Sequence, residues 1–340
     1  RLFWMVMCMD MTLQKLIHQI DTPTPKMMNI KKWEQKPYKA FYRTFVPKST
    51  RIQHKKNASL EHQAHLAHCF TKLIEYYQSG ELEYLKIKPK KHLPHQKIIW
   101  QYWGQGIDDN LPNIVKLCFA SIDKYKGDST VIRLDDDNIH EYLDLPDFIW
   151  QKRQNPEFKH AFFADLIRLA LLYAYGGIWI DATILLTNEI NDNIKHQDFF
   201  MFQRCPNALN KQFWQNFNID YFGWDDGHLV NVLNSFIVAK KNHELIGICL
   251  DLLLNFWKNQ SHITHYFFFQ ILFDTLIKHE YSSLNCQIID DTLPHLLIAN
   301  INQPFDEMVY QDILGKSNIH KLRYINTSNP YIDRIANAML

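Results

Sequence analysis

One short segment of the chain, residues 164 to 183, brings together two carboxylates and a guanidinium. Asp165 and Arg168 are three residues apart, and Asp181 follows beyond a pair of glycines. Side chains three apart share one face of a helix, so the first two form either an ordinary helix ion pair or a joint binding surface. A carboxylate accepts hydrogen bonds from hydroxyl groups, and a guanidinium pairs with phosphate. Carboxylate oxygens are also the ligands that hard divalent cations prefer.

The neighbouring sequence predicts the elements that position these groups. Apolar residues recur at helical spacing at Leu166, Leu169, Ala170 and Tyr173. Gly176 and Gly177 then end the helix, because glycine readily adopts the left-handed conformation. The apolar residues 178 to 180 form a short strand that stops at Asp181. In an open α/β sheet the carboxyl end of a strand is where ligands bind, so Asp181 is a candidate site residue.

Strand and helix patterns alternate through the remainder of the chain. We predict strands at 97–103, 129–134, 199–202 and 234–239, and helices at 60–77, 111–125, around 139–143, and at 243–257. Residues 266–277 are strongly apolar and predicted to be buried, and residues 317–324 close the domain. This alternation indicates an α/β fold with a mostly parallel sheet flanked by helices.

The string ADxxRxxxLYxxGGxWxDxT, read from Ala164 to Thr183, resembles the central motif of the capsular polysaccharide synthesis glycosyltransferases. These are relatives of the DXD-motif sugar transferases, which include the large glucosylating toxins. The resemblance covers roughly residues 96 to 325 and implies a GT-A-like, Rossmann-type fold. It also implies transfer of a sugar from a nucleotide donor, such as a UDP-sugar, with retention of anomeric configuration and assistance from Mn²⁺ or Mg²⁺.

The resemblance assigns roles within this motif. Asp165 and Arg168 match the pair that contacts the donor's ribose and sugar, and Asp181 matches a metal ligand. The chain has Asp-Ala-Thr where DXD has a second carboxylate, so Thr183 would be a weaker, uncharged ligand or simply a β-branched strand residue. Trp179, which precedes Asp181, resembles an aromatic residue near the nucleotide.

Two more distant segments extend the resemblance. Trp103 ends a segment similar to the family's opening strand and aligns with an aromatic residue that stacks on the base; a core role is the alternative. Near the other end of the chain, His320 matches a metal ligand and Lys321 a contact to the diphosphate. A lone histidine is as often structural.

The charge, the cysteines and the hydropathy of the chain argue against several classes of protein. The net charge of +1 over 340 residues gives no support for nucleic-acid binding. The six cysteines are scattered in mostly apolar surroundings without a CxxC pair, which favours reduced thiols and a cytoplasmic location. There is no run of 18 apolar residues that could span a membrane.

We divide the chain into a helical N-terminal region, 1–95, and a catalytic domain, 96–340. Residues 31–57 alternate basic and aromatic side chains, which is typical of contact with an anionic membrane surface or a charged glycan. A solvated helix face is the more common explanation of such a pattern. Peripheral contact with the inner face of a bacterial membrane is therefore an expectation, and the oligomeric state stays open.

Three functions are compatible with the sequence. The first is a glycosyltransferase that extends an oligosaccharide or polysaccharide acceptor in bacterial capsule or surface polysaccharide synthesis. The second is a non-catalytic module that binds a nucleotide-sugar or glycan, for which the missing second carboxylate is the support. The third is a toxin-like transferase acting on protein. An α/β hydrolase is disfavoured because the chain has no GxSxG motif.

Overall fold

The structure is a computed structural model that describes residues 2–85, 87–93, 97–260, 265–278, 280–324 and 329–339. Its helices are α1 (Leu2–Asp21), α2 (Pro25–Trp33), α3 (Tyr38–Phe45), α4 (Lys48–Gln78), α5 (Asn113–Tyr125), α6 (Asp147–Arg153), α7 (His160–Tyr175), α8 (Asp192–Lys195), α9 (Lys211–Phe217), α10 (Glu244–Asn259), α11 (Phe268–Lys278), α12 (Leu296–Asn300), α13 (Glu307–Lys316) and α14 (Pro330–Met339). Its strands are β1 (Lys88–Pro89), β2 (Ile98–Tyr102), β3 (Thr130–Leu134), β4 (Leu143–Asp144), β5 (Gly177–Ile180), β6 (Ile184–Leu186), β7 (Phe199–Gln203), β8 (Val232–Ala239) and β9 (Ile319–Lys321).

The central sheet has five strands in the order β3-β2-β5-β8-β7. Strands β3, β2 and β5 are parallel, whereas β8 is antiparallel to both of its neighbours. Four of the five strands therefore run in one direction, which confirms the prediction of a mostly parallel sheet. Because β8 is reversed, its first residues lie at the same edge as the carboxyl ends of β2 and β5.

Two glycines make the connection between α7 and β5. Gly176 and Gly177 have φ angles of 75° and 109°, a region that residues with a side chain rarely adopt. A Cβ on Gly177 would also lie 2.4 Å from the carbonyl oxygen of Ile98 on β2. The tight turn lets β5 enter the sheet directly beside β2, and this confirms the predicted helix-to-strand unit.

The N-terminal helices pack on the same hydrophobic core as the sheet. Leu16 and Ile20 of α1 and Phe70 of α4 are buried in one cluster with Phe268 of α11 and the face of α7. The rings of Phe70 and Phe268 meet edge to face, with centroids 4.9 Å apart. In the described part of the chain, no helix is both long enough and apolar enough to cross a membrane.

Three local predictions differ from the structure. The predicted helix around 139–143 is a single 3₁₀ turn, Ile139–Glu141, followed by β4, which pairs with β1. Helix α4 begins at Lys48, whereas the sequence predicted a start near residue 60. The first turns of the helix are polar and carry no apolar stripe, so no periodic pattern indicated them. The segment closing the domain contains β9, which pairs with β6, and α14 follows it. The predicted boundary between 95 and 96 lies outside the described residues and stays a prediction.

Candidate active site

A cleft of about 480 Å³ opens at the sheet edge where β2 and β5 end. Its walls come from the ends of these strands, the start of β8, the middle of α7, the start of α11 and the segment after β9. The cleft contains seven of the eight residues that the sequence pointed to: Trp103, Asp165, Arg168, Trp179, Asp181, Thr183 and Lys321. The eighth residue, His320, does not line it.

Arg168 is the centre of the charged network in the cleft. Its guanidinium lies 3.2 Å from Asp165 Oδ1 and 3.4 Å from Asp181 Oδ1. It also donates to the backbone carbonyls of Ala164 and Asn234, at 3.1 Å and 2.7 Å. Four acceptors thus fix one buried side chain, which holds the two carboxylates on either side of it.

The two carboxylates have opposite pKa shifts. Burial raises the pKa of Asp165 to about 6, although Arg168 opposes this effect. Burial also disfavours ionisation of Asp181, but Arg168 and Lys321 outweigh it and lower the pKa of that carboxyl. Asp181 is therefore a fixed anion at neutral pH, whereas Asp165 changes its protonation state close to the physiological range.

Lys321 completes the network from the far end of the chain. Its ammonium donates to Asp181 Oδ2 at 3.2 Å and to Thr183 Oγ1 at 2.8 Å. His320 points to the other side of β9, where it is fully buried and its Nε2 lies 3.1 Å from Thr187 Oγ1. Burial lowers the pKa of His320 to about 4. The structure thus places Lys321 in the cleft and its neighbour behind the cleft wall.

We tested whether the residues present fit the divalent cation that the resemblance implies. Mn²⁺ and Mg²⁺ need several hard oxygen ligands. Both predicted ligands within the cleft, Asp181 and Thr183, contact the ammonium of Lys321 instead, and Asp181 Oδ1 accepts from the indole of Trp179 at 2.7 Å. Across the described ranges, no group of three or more His, Cys, Asp or Glu side chains is placed to hold a metal. The described residues therefore do not form a metal site of their own.

The two predicted tryptophans take different positions. Trp103 follows β2 and is half-buried at the mouth of the cleft, with its ring 5.8 Å from the exposed ring of Tyr324. Trp179 is buried in β5 beneath the guanidinium of Arg168, which lies 5.3 Å from its ring centroid. Trp103 is thus accessible to a flat ligand, whereas Trp179 orients Asp181 and Arg168.

Several polar residues from β8 and α11 complete the cleft. Asn234 donates to Asp165 Oδ1 at 2.8 Å, and Gln270 donates to Asn234 Oδ1 at 3.0 Å. Ser235 Oγ and Gln270 Oε1 are buried without a hydrogen-bond partner among the described residues. These three residues are polar side chains within the apolar sequences of β8 and α11, and a buried polar residue in such a sequence is the pattern that indicates a site. Gln270 was not predicted from the sequence.

A buried ion pair supports the wall of the cleft opposite α7. Arg204 makes two hydrogen bonds to Asp291, at 2.8 Å and 2.9 Å, and both side chains are almost fully buried. Tyr221 Oη donates to the same carboxylate at 2.9 Å, and His295 Nδ1 lies 2.7 Å from the carbonyl oxygen of Asp291. Tyr221 and His295 line the cleft, so this pair fixes their position. The sequence analysis missed it.

The fold and the cleft together define an α/β protein with a cleft at the carboxyl ends of its parallel strands, where ligands bind in open α/β sheets. The chain belongs to the family described as capsular polysaccharide synthesis protein, whose match covers residues 49–338. This finding confirms the family resemblance read from the motif around Asp165 and Asp181.

Curated proteins similar to the chain are named as glycosyltransferases from fungi. The O-glycosyltransferase PaGT of Phomopsis amygdali is 26% identical over 49% of this chain and 40% of its own length. The O-glycosyltransferase braB of Annulohypoxylon truncatum is 25% identical over 49% of this chain and 39% of its own. The chain thus spans about two fifths of these relatives. A solved structure titled PaToxG Glycosyltransferase aligns with 84% of this chain and 96% of its own, at 14% identity and a TM-score of 0.34.

Proposed function

We propose that this chain is a glycosyltransferase that moves a sugar from a nucleotide-sugar donor, a UDP-sugar, to a glycan acceptor. Membership in the capsular polysaccharide synthesis family and the names of the curated relatives support the class of reaction. The observation that carries the proposal is the meeting of Asp165, Arg168, Asp181 and Lys321 in one cleft, although three separate elements supply them.

Each part of the donor has a matching group in the cleft. The base stacks on Trp103, which is accessible at the mouth and offers a flat aromatic face. The diphosphate lies against the two cations, Arg168 and Lys321, because charge-assisted hydrogen bonds to phosphate are the strongest that these side chains make. The sugar hydroxyls bond to Asp165, Asn234 and the unpartnered oxygens of Ser235 and Gln270.

The proposed transfer breaks the bond between the anomeric carbon and the diphosphate oxygen, while the acceptor oxygen forms the new bond and its hydroxyl proton passes to the departing diphosphate. Negative charge accumulates on the leaving diphosphate, and preorganised cations stabilise it most effectively in a partly dry cleft. Arg168 and Lys321 fill this role. Asp181 holds both cations in position, since each of them contacts its carboxylate.

Both carboxylates that line the cleft are paired with Arg168, and neither is a free nucleophile. Retention of anomeric configuration enters the proposal from the family resemblance alone; attack on the same face that the diphosphate leaves would give this outcome and requires no enzyme nucleophile. A requirement for Mn²⁺ or Mg²⁺ stays a prediction from the resemblance, and no step is assigned to it here.

The proposed acceptor is an oligosaccharide or polysaccharide of a bacterial surface, assembled at the cytoplasmic side of the membrane. The support for it is the description of the family.

Binding and turnover can be tested in one set of samples. Wild type and Asp181→Asn are screened by thermal shift against UDP, GDP, CMP and their sugars, each with Mn²⁺ or with EDTA. A ligand at a hundred times its dissociation constant stabilises the fold by about 2.7 kcal/mol. We expect wild type to be stabilised selectively by UDP and its sugars and to release UDP slowly from the matching donor. The variant should lack this release of UDP. Binding without any donor hydrolysis or transfer would identify a non-catalytic binding module.

A further inference from the structure

Helices α2 and α3 form a surface that the fold does not cover. Neither helix contains a buried residue in the structure. Trp33, Tyr38, Phe41 and Phe45 are all exposed, and the two phenylalanines leave 58% and 68% of their surface accessible. Their rings lie side by side, with centroids 4.5 Å apart, one turn apart along α3. Clustered exposed apolar side chains with polar residues around them are typical of an interaction site, whereas single exposed apolar residues are not. We call these four side chains the aromatic face.

Positive charge surrounds the aromatic face. The segment from 31 to 48 carries six basic residues and one acidic residue, Glu34; the basic residues are Lys31, Lys32, Lys36, Lys39, Arg43 and Lys48. None of the six forms an ion pair with a carboxylate in the described part of the chain. By contrast, the adjacent Lys26, Lys55 and Lys56 pair with Glu61, Asp220 and Asp225. The charge around the aromatic face is therefore not neutralised within the protein.

Contacts between α2, α3 and α4 hold the aromatic face in place. Tyr42, which lies between Tyr38 and Phe45 on the same side of α3, stacks on Trp33 with centroids 5.7 Å apart. Its hydroxyl lies 3.1 Å from His54 Nδ1 on α4, the long helix that packs on α11. These contacts connect α2 and α3 to α4, and through α4 to the hydrophobic core.

We propose that the aromatic face and its six basic residues bind the surface of a bilayer that contains anionic lipids. Phe41 and Phe45 have no polar atoms, so their burial is favourable in the acyl boundary of a membrane. Trp33 and Tyr38 are suited to the headgroup level, where one end of the ring is apolar and the other is wet. The lysines and Arg43 then face phosphate headgroups. A soluble polyanion would satisfy the charges but would leave the phenylalanine pair in water.

The test is sedimentation of the full chain with sucrose-loaded vesicles. One set is phosphatidylcholine, and the other contains about one third phosphatidylglycerol to provide the anionic surface. We expect binding to the anionic vesicles only, and less binding at high salt. Phe41→Ser with Phe45→Ser should weaken partitioning roughly tenfold or more. Replacing Lys36, Lys39 and Arg43 by Gln should weaken it roughly a hundredfold.

Matched control variants test whether the loss of vesicle binding is specific to the aromatic face and its basic residues. They remove apolar or basic side chains from other parts of the surface. Leu209→Ser with Met308→Ser removes two apolar side chains elsewhere that are more exposed than the phenylalanines. Changing Lys88, Lys90 and Lys126 to Gln removes three exposed charges. Both controls should bind as wild type does. Equal loss in the controls, or equal binding to phosphatidylcholine, overturns the proposal. So does binding to soluble polyphosphate that survives the loss of both phenylalanines, or a dimer in solution that dissociates on their loss.

Discussion

The ammonium of Lys321 lies 3.2 Å from the carboxylate of Asp181, although 140 residues separate the two along the chain. Asp181 also contacts Arg168, so one carboxylate joins the two cations of the cleft. This junction is where a departing diphosphate would be stabilised if the proposed transfer takes place.

The first prediction concerns Lys321. Replacing it by Met keeps the length of the side chain and removes the charge, so kcat/KM for the donor should fall roughly a hundredfold or more, the usual loss for one stabilising donor. Lys321→Arg should retain more activity than Lys321→Met. Lys316→Met provides the control, because Lys316 is an exposed lysine that pairs with Asp312 on the same helix. Steady-state release of UDP measures all three; equal activity of Lys321→Met and wild type would remove this residue from the mechanism.

The second prediction concerns the divalent cation. Since Lys321 already contacts both Asp181 and Thr183, we expect UDP to bind with the same affinity in EDTA as in Mn²⁺. Isothermal titration of wild type measures this directly. If Lys321→Met binds UDP only when Mn²⁺ is present, the ammonium takes the place of a metal. Strict dependence of the wild type on Mn²⁺ would contradict this expectation and support the requirement that the resemblance implies.

The third prediction follows from the pKa of Asp165, which burial raises to about 6. The ionised carboxylate is the better acceptor for sugar hydroxyls, and it forms as the pH rises through that value. We therefore expect kcat/KM to increase between about pH 5 and pH 7 and then to level off. Asp165→Asn should be slower and should lose this step in the pH profile. The same step in both proteins would assign the titration to another group.

The fourth prediction concerns Asp251 on α10, which is buried outside the cleft. Burial alone raises its pKa to about 6 from the ordinary value of 3.8. Because the folded state then prefers the protonated form, this group's contribution to stability is complete below about pH 4 and is lost as the pH rises through 6. Asp251→Asn should raise the free energy of unfolding by roughly 1–3 kcal/mol at pH 8 and have little effect at pH 4. Urea unfolding of wild type and Asp251→Asn at both pH values measures the sign of this change in the free energy of unfolding.

The fifth prediction concerns the pair formed by Arg204 and Asp291. Asp291→Asn leaves a buried guanidinium without its counter-charge and should lower the free energy of unfolding by about 3–5 kcal/mol. Asp312→Asn, which breaks an exposed pair with Lys316, should change it by less than about 1 kcal/mol. Chemical denaturation compares them. Similar small losses in both variants would mean that the cleft wall is held without this pair.

Local patterns in the sequence predicted the unit that contains Asp165, Arg168 and Asp181. Helical spacing, a glycine pair and a strand end are all encoded within 20 neighbouring residues, and they do not depend on the remainder of the fold. The parts that escaped prediction depend on topology. Asn234 reaches Asp165 only because β8 runs against its neighbours, and strand direction leaves no local pattern.

His320 and Lys321 are neighbours in β9 and face opposite sides of it. Successive side chains of a strand point to opposite faces, so two neighbours in β9 could not both enter the same cleft. Pairing of β9 with β6 turns Lys321 toward Asp181 and His320 toward Thr187. The segment was predicted only as the end of the domain, because a three-residue strand carries too little periodicity to be recognised.

The packing of α1 and α4 against α10 and α11 has a consequence for how the chain unfolds. Phe70 and Phe268 belong to one apolar cluster that continues to α7, so helices from both predicted regions lose their hydrophobic contacts together. We expect a single calorimetric transition rather than separate melting of the two regions. A protein beginning at residue 96 would expose the face of α11 to water and would depend on chaperones or detergents to remain monomeric.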